Sequence, residues 1–172
     1  MINYGIKYLK IQQEIMKNAD KAHYGNIKRW VLIDYDRQPE TVGVSDGRFI
    51  VFITKDYFYL NENVFGRKFS NVNAVIKCYS PDDGYPVVDS GELIKDVNDT
   101  NSKKPRMLHK FRINEKQENI YIDNEILTKY FDLSEPVQLR ATGKKEPFYI
   151  WNEYTLVGII LPFNHPEGGE ES

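Results

Sequence analysis

The order of its segments constrains this chain most. An amphipathic stretch followed by three strand-like runs occurs near the beginning and again near the end. In the first block, residues 3–22 have helical periodicity. At about 100° per residue, Tyr4, Tyr8, Ile11, Ile15, Ala19 and Ala22 share one face, and Lys7, Lys10, Lys17 and Lys21 form a stripe on another. Glu14 interrupts that stripe. Residues 27–35, 41–45 and 48–54 read as strands, the last two joined by the two-residue turn Asp46-Gly47. The near-continuous apolar run Phe49-Ile-Val-Phe-Ile53 suggests a strand covered on both faces. In the second block, residues 123–131 read as a short helix with Asp123 as its N-cap. Strands are expected at 137–142, 147–151 and 155–161.

Between the blocks the pattern weakens. Tyr57–Val64 reads as a strand, and Val72–Tyr79 as a strand or short helix. Residues 80–85 and 96–105 are loop-like, and 107–114 with 119–122 form the arms of a hairpin. The chain has 172 residues, 41% of them hydrophobic and 13% aromatic, enough for one domain with a core. Residues 1–163 are expected to form that domain, with 57–121 as a middle region. Residues 164–172 are expected to be a flexible acidic tail.

Several short runs carry a family resemblance. Val44-Ser-Asp-Gly-Arg-Phe49 looks like the Thr-Asp-Gly-x-Arg-Leu turn of bacterial DNA sliding clamps. Glu135-Pro-Val-Gln-Leu139 resembles the strand after their last helix, and Glu146-Pro-Phe-Tyr-Ile150 their Ser-Pro-Val-Leu-Ile strand. Val157–Phe163 resembles their terminal strand, which ends in Leu-Pro-Val or Met-Pro-Met. The resemblance covers Tyr8–Thr54 and Ile122–Phe163. It implies an α+β fold: a clamp-like domain of two helix-plus-three-strand units with antiparallel sheets, here with a middle insertion. It further implies helices that face a DNA backbone and a pocket near the last strands for short apolar peptides. A clamp subunit strings two or three such domains together, and this chain has room for one. The expected setting is a phage or mobile element, or else a role as an accessory factor.

The leading expectation is therefore a non-enzymatic binding protein. Its partner would be another protein, or a second copy added through edge strands to form an oligomer. The alternative is a processivity-type factor that contacts duplex DNA through the first helix. Its candidate residues are Lys7, Lys10, Lys17, Lys21, Lys28 and Arg29, since lysines there bind phosphate without reading sequence. Against it stand a net charge of −2 and acidic residues in the second helix, Asp123, Glu125 and Asp132. The cluster Lys103-Lys104-Pro105-Arg106 is either a nucleic-acid contact or a solubilising loop. Tyr57, Phe58 and Tyr59 could be a stacking platform for unpaired bases or ordinary sheet core.

A third class is an enzyme using Cys78, with His109 as base, or a carboxylate cleft. Cys78 follows an apolar run, as a buried thiol does, and Asp82-Asp83 lies in a Pro/Gly loop where turn chemistry accounts for it. No catalytic residues are assigned. His23, His109, His165 and Cys78 share no ligand spacing, so neither metal nor cofactor is expected. One cysteine, no run of about 18 apolar residues and no signal-peptide order at Met1–Lys10 lead to an expected cytoplasmic location without membrane contact.

Overall fold

The computed structural model describes residues 4–21, 30–60, 67–69, 72, 76–96, 105–131, 133 and 137–163. Lys28, Arg29, His23, His165, Lys103, Lys104, Asp132 and the expected tail lie outside them. Among the described residues, two α-helices and ten strands occur in the order α1 (Tyr4–Lys21), β1 (Val31–Ile33), β2 (Thr41–Ser45), β3 (Phe49–Thr54), β4 (Arg67–Phe69), β5 (Tyr85–Lys95), β6 (Met107–Ile113), β7 (Glu118–Asp123), α2 (Asn124–Tyr130), β8 (Gln138–Ala141), β9 (Phe148–Asn152) and β10 (Thr155–Ile160).

These strands correct the expected fold class. The chain does not divide into two helix-plus-three-strand units around an insertion. It forms one β-dominated sheet in the order β4-β1-β2-β3-β10-β9-β8-β5-β6-β7. Every described neighbour pair is antiparallel except β1–β4. The physical reason is twofold. β3 pairs with β10 through Val51↔Gly158, Ile50↔Ile159 and Phe49↔Ile160, so the two meanders merge. The supposed insertion contributes β5, β6 and β7 to the same sheet instead of looping out.

The central strands are buried on both faces, as their apolar runs suggest. One face places Leu32, Val44, Phe49, Val51, Ile53, Ile150 and Ile160 against α1, through Ile11 and Ile15, and against α2, through Ile126 and Leu127. The β6–β7 ribbon curls over the same face. Phe111, Ile113, Ile120 and Ile122 join that core, and the rings of Phe111 and Phe148 lie 4.9 Å apart. The opposite face places Ile33, Tyr35, Ile50, Phe52, Tyr149, Trp151 and Ile159 under Val72, Ile76 and Cys78.

A bulge in β10 makes this two-sided packing possible. The register shifts between Leu156 and Gly158, so Leu156 and Ile159, three residues apart, reach the same face. Buried Gln38 fills the gap this leaves in the ladder. Its amide accepts from Leu156 N at 2.8 Å and donates to Leu156 O at 2.9 Å. At Gly158 the Phe131 ring lies where a Cβ would stand, and Ile50 O is 2.8 Å from that position.

At the other hairpin, Gly47 takes φ +98°, a conformation glycine adopts without Cβ strain. Asp46 closes the turn on Arg48 N at 3.0 Å. Asp123 caps α2 as expected, accepting from Glu125 N at 2.9 Å. No helix among the described residues is long and apolar enough to cross a membrane.

Candidate nucleic-acid interface on helix α1

The side of α1 away from the core carries the sequence-derived lysines. Lys7 is half-buried, and Lys10 and Lys17 are exposed. Lys21 lies in the last turn, and its side chain falls outside the description, as do Lys28 and Arg29 entirely. Glu14, the acid within the stripe, turns towards α2, where its Oε1 lies 3.3 Å from Lys129 Nζ. Lys129 also meets Glu125 at 2.5 Å. The Glu125 hydrogen bond, followed by the Glu14 contact, raises the Lys129 pKa above its ordinary value. Lys129 is thus shared by Glu125 and Glu14, so this cluster keeps one net negative charge next to the lysine stripe.

Sequence reasoning did not single out Gln12, which organises this surface. Its signal is a polar residue at the edge of an apolar stripe, one turn after Tyr8. The side chain is 0% exposed. Its Nε2 donates to Tyr57 O at 2.8 Å and to Tyr8 O at 3.1 Å, and its Oε1 accepts from Tyr59 N at 2.9 Å. One amide therefore fixes two backbone groups of the segment after β3. That segment is a 3-10 turn, Lys55–Tyr57, followed by extended residues. Residues 57–60 are not the beginning of the strand expected over 57–64, whose residues 61–64 lie outside the described ones.

The result is an alternation of side chains. Phe58 turns inward onto the core, while Tyr57 and Tyr59 remain 45% and 52% exposed. Tyr57 stacks on Tyr8 with ring centroids 5.7 Å apart, and the Tyr59 hydroxyl lies 3.4 Å from Leu9 O. Lys7 Nζ stands 5.8 Å from the Tyr8 ring centre. Lys55 and Asp56 are exposed on the 3-10 turn. The surface therefore combines exposed aromatic rings with Lys7 and Lys55, against Asp56 and Glu40, which is exposed and whose carbonyl accepts from Lys55 N at 2.9 Å.

The other sequence-derived candidates do not assemble. Cys78 is 1% exposed and packs on the face of the sheet opposite to Phe111, on which His109 stacks. Burial pushes the thiol pKa up, which disfavours the thiolate. The neighbouring Tyr149 hydroxyl is pushed up to about 12 by burial. His109 Nε2 instead meets Asp89 Oδ1 at 2.5 Å on the β5–β6 surface. Asp83 accepts from Tyr79 N and Ser80 N at 2.7 and 3.1 Å, which is turn chemistry. Among the described residues no three His, Cys, Asp or Glu side chains gather as a metal site would need.

A cleft of about 220 Å³ lies between Trp30, Asp46, Arg48, Glu125, Ile126 and Tyr130. Its Arg48 is engaged by Asp46 at 2.6 Å and by buried Asp123 at 3.7 Å. Arg106 reaches Asp123 at 3.6 Å and Asp96 at 3.5 Å. Three carboxylates around two guanidiniums are a structural tie between β3, β7 and the strand-connecting segments. They leave no surplus of positive charge for an anion.

Comparison with family models, with curated proteins and with solved structures found no match to this chain.

Proposed function

We propose that the protein is a non-enzymatic binding protein that holds a nucleic-acid backbone against helix α1, in the cytoplasm. The observation that carries this reading is the lysine-bearing outer side of α1, whose Lys7 Nζ stands 5.8 Å from the Tyr8 ring on which half-exposed Tyr57 stacks. The sliding-clamp resemblance led to the same helix, but the reading stands without it. Lys7, Lys10 and Lys17 supply up to three phosphate contacts, so log K should fall with log salt at a slope of about −2 to −3. The test is fluorescence anisotropy with labelled single- and double-stranded oligonucleotides of one sequence, across a salt series. Replacing the three lysines by Glu should abolish binding. No binding at low salt, or unchanged affinity in the triple variant, overturns the reading.

A second reading rests on a separate observation. β5 pairs with β8 only at Tyr85 and Pro86, and beyond them its outer edge meets no strand among the described residues. Val88 and Leu93 on that stretch are exposed. Its bulge at Ser90 and Gly91 spends two donors locally, Gly91 N on Asp89 and Glu92 N on the Ser90 hydroxyl. On this reading the stretches either side of the bulge add to a second copy of the chain. Light scattering should then give a dimer that Leu93→Lys dissociates. A monomer at high concentration excludes it.

A further inference from the structure

Resting on the proposed nucleic-acid contact and extending it, we infer that the α1 surface takes a single strand, with an unpaired base stacked on Tyr59 and its neighbour on Tyr57. Contact with a duplex backbone requires only charge, because the base faces are closed within the stack. The surface offers more than charge. Two tyrosines stand half-exposed on one short segment, and their backbone is fastened by a buried glutamine. The fastening is what a stacking platform needs, since a ring held in place before binding loses little freedom when a base arrives.

The geometry suits one strand. Tyr57 and Tyr59 are two residues apart, so their Cα atoms lie no more than about 7 Å from each other, and the two rings can serve neighbouring bases. Tyr57 has one face against Tyr8 and remains about half-exposed. Tyr59 is anchored at its hydroxyl end beside Leu9 and keeps the greater exposure. Lys7 Nζ lies 5.8 Å from the Tyr8 ring on which Tyr57 stacks, and exposed Lys55 precedes Tyr57 by two residues. Asp56 is an opposing charge, as is exposed Glu40 beside Lys55. They disfavour dense phosphate packing near Tyr57 and make base stacking there the larger contribution. Stacking of this kind tolerates any base because every base has a π face.

The test uses the full chain and a labelled oligothymidylate of about 20 nucleotides, compared with a duplex of the same length. The single strand should bind more tightly. Tyr59→Ala should weaken it by roughly 5- to 150-fold, while Tyr59→Phe, which keeps the ring, should retain most of the affinity. Tyr154→Ala, on the exposed β9–β10 turn, is the control and should change nothing. Thermal melts of each variant confirm folding. A duplex bound as tightly as the single strand, or an unaffected Tyr59→Ala, overturns the inference and leaves the backbone contact standing. Absence of binding to both oligonucleotides at low salt overturns both.

Discussion

Gln12 offers the sharpest perturbation. Replacing it by Met keeps its length and removes its polar atoms. The structure then loses two hydrogen bonds between α1 and the segment after β3, to Tyr57 O at 2.8 Å and from Tyr59 N at 2.9 Å. The third bond, to Tyr8 O at 3.1 Å, lies within the helix. Each neutral bond contributes about 0.5–1.5 kcal/mol net, and a buried group left without a partner costs about 1–3 kcal/mol. Both bonds are only partly buried, so the low end applies to each. The expected loss is about 2 kcal/mol. For a chain of this size that corresponds to a fall of about 4–8 °C in Tm. Urea denaturation read by circular dichroism measures the loss directly. Gln12→Glu keeps the acceptor for Tyr59 N but sets a carboxylate against Tyr57 O. Burial raises the folded pKa of the introduced carboxyl above its unfolded value of about 4.3. Relative to wild type, this variant should suffer least at low pH and lose stability as pH rises through that folded pKa. A Met variant within about 0.5 kcal/mol of wild type would refute the claim that this amide fastens the segment.

Three further outcomes follow from the packing and charge. Gly158→Ala forces a Cβ into the Phe131 ring and against Ile50 O; it should cost about 3 kcal/mol or more in denaturant, with partial recovery on adding Phe131→Leu. Burial would raise the Asp89 carboxyl, but hydrogen bonds from His109 and Gly91 N outweigh it and hold the pKa below the ordinary value. Its contribution to stability is therefore present above the unfolded pKa of about 3.9 and lost as pH falls through the folded one; acid titration of Asp89→Asn should lack that component. Cys78, buried and with its thiol pushed up, should react with a maleimide only as fast as the protein opens, and equal rates for native and urea-unfolded chain would contradict this.

What the sequence made legible followed local rules. β2 and β3 stand where the Asp46-Gly47 turn and the apolar run after it put them, and α2 begins at its Asp123 cap. The lysines of α1 were equally plain. β5 was not, because Pro86, Asp89, Ser90 and Gly91 break any strand pattern; β6 supplies the pairing that local preference lacks. The expected strand at Tyr57 failed for a related reason. Gln12 occupies Tyr57 O and Tyr59 N, the groups a neighbouring strand would have used. Two steps that set the fold class carry no local signal: the addition of β5, β6 and β7 to the sheet and the pairing of β3 with β10. Nothing in either strand's composition names its partner, and merging two meanders into one sheet is decided only by packing across the whole chain.

That pairing also has a consequence in time. β3, Phe-Ile-Val-Phe-Ile-Thr, meets β10 roughly a hundred residues later in the chain. At about 5–20 residues per second of synthesis, β3 waits some 5–20 s on the ribosome with its apolar edge unpaired. Such a segment, β-prone and uncharged, is the kind that pairs with other chains. A chain that stalls or is cut before Thr155 retains that open edge permanently. The last strand therefore ends the period in which the nascent protein is most prone to aggregate, and its arrival sets the pace at which the sheet can close.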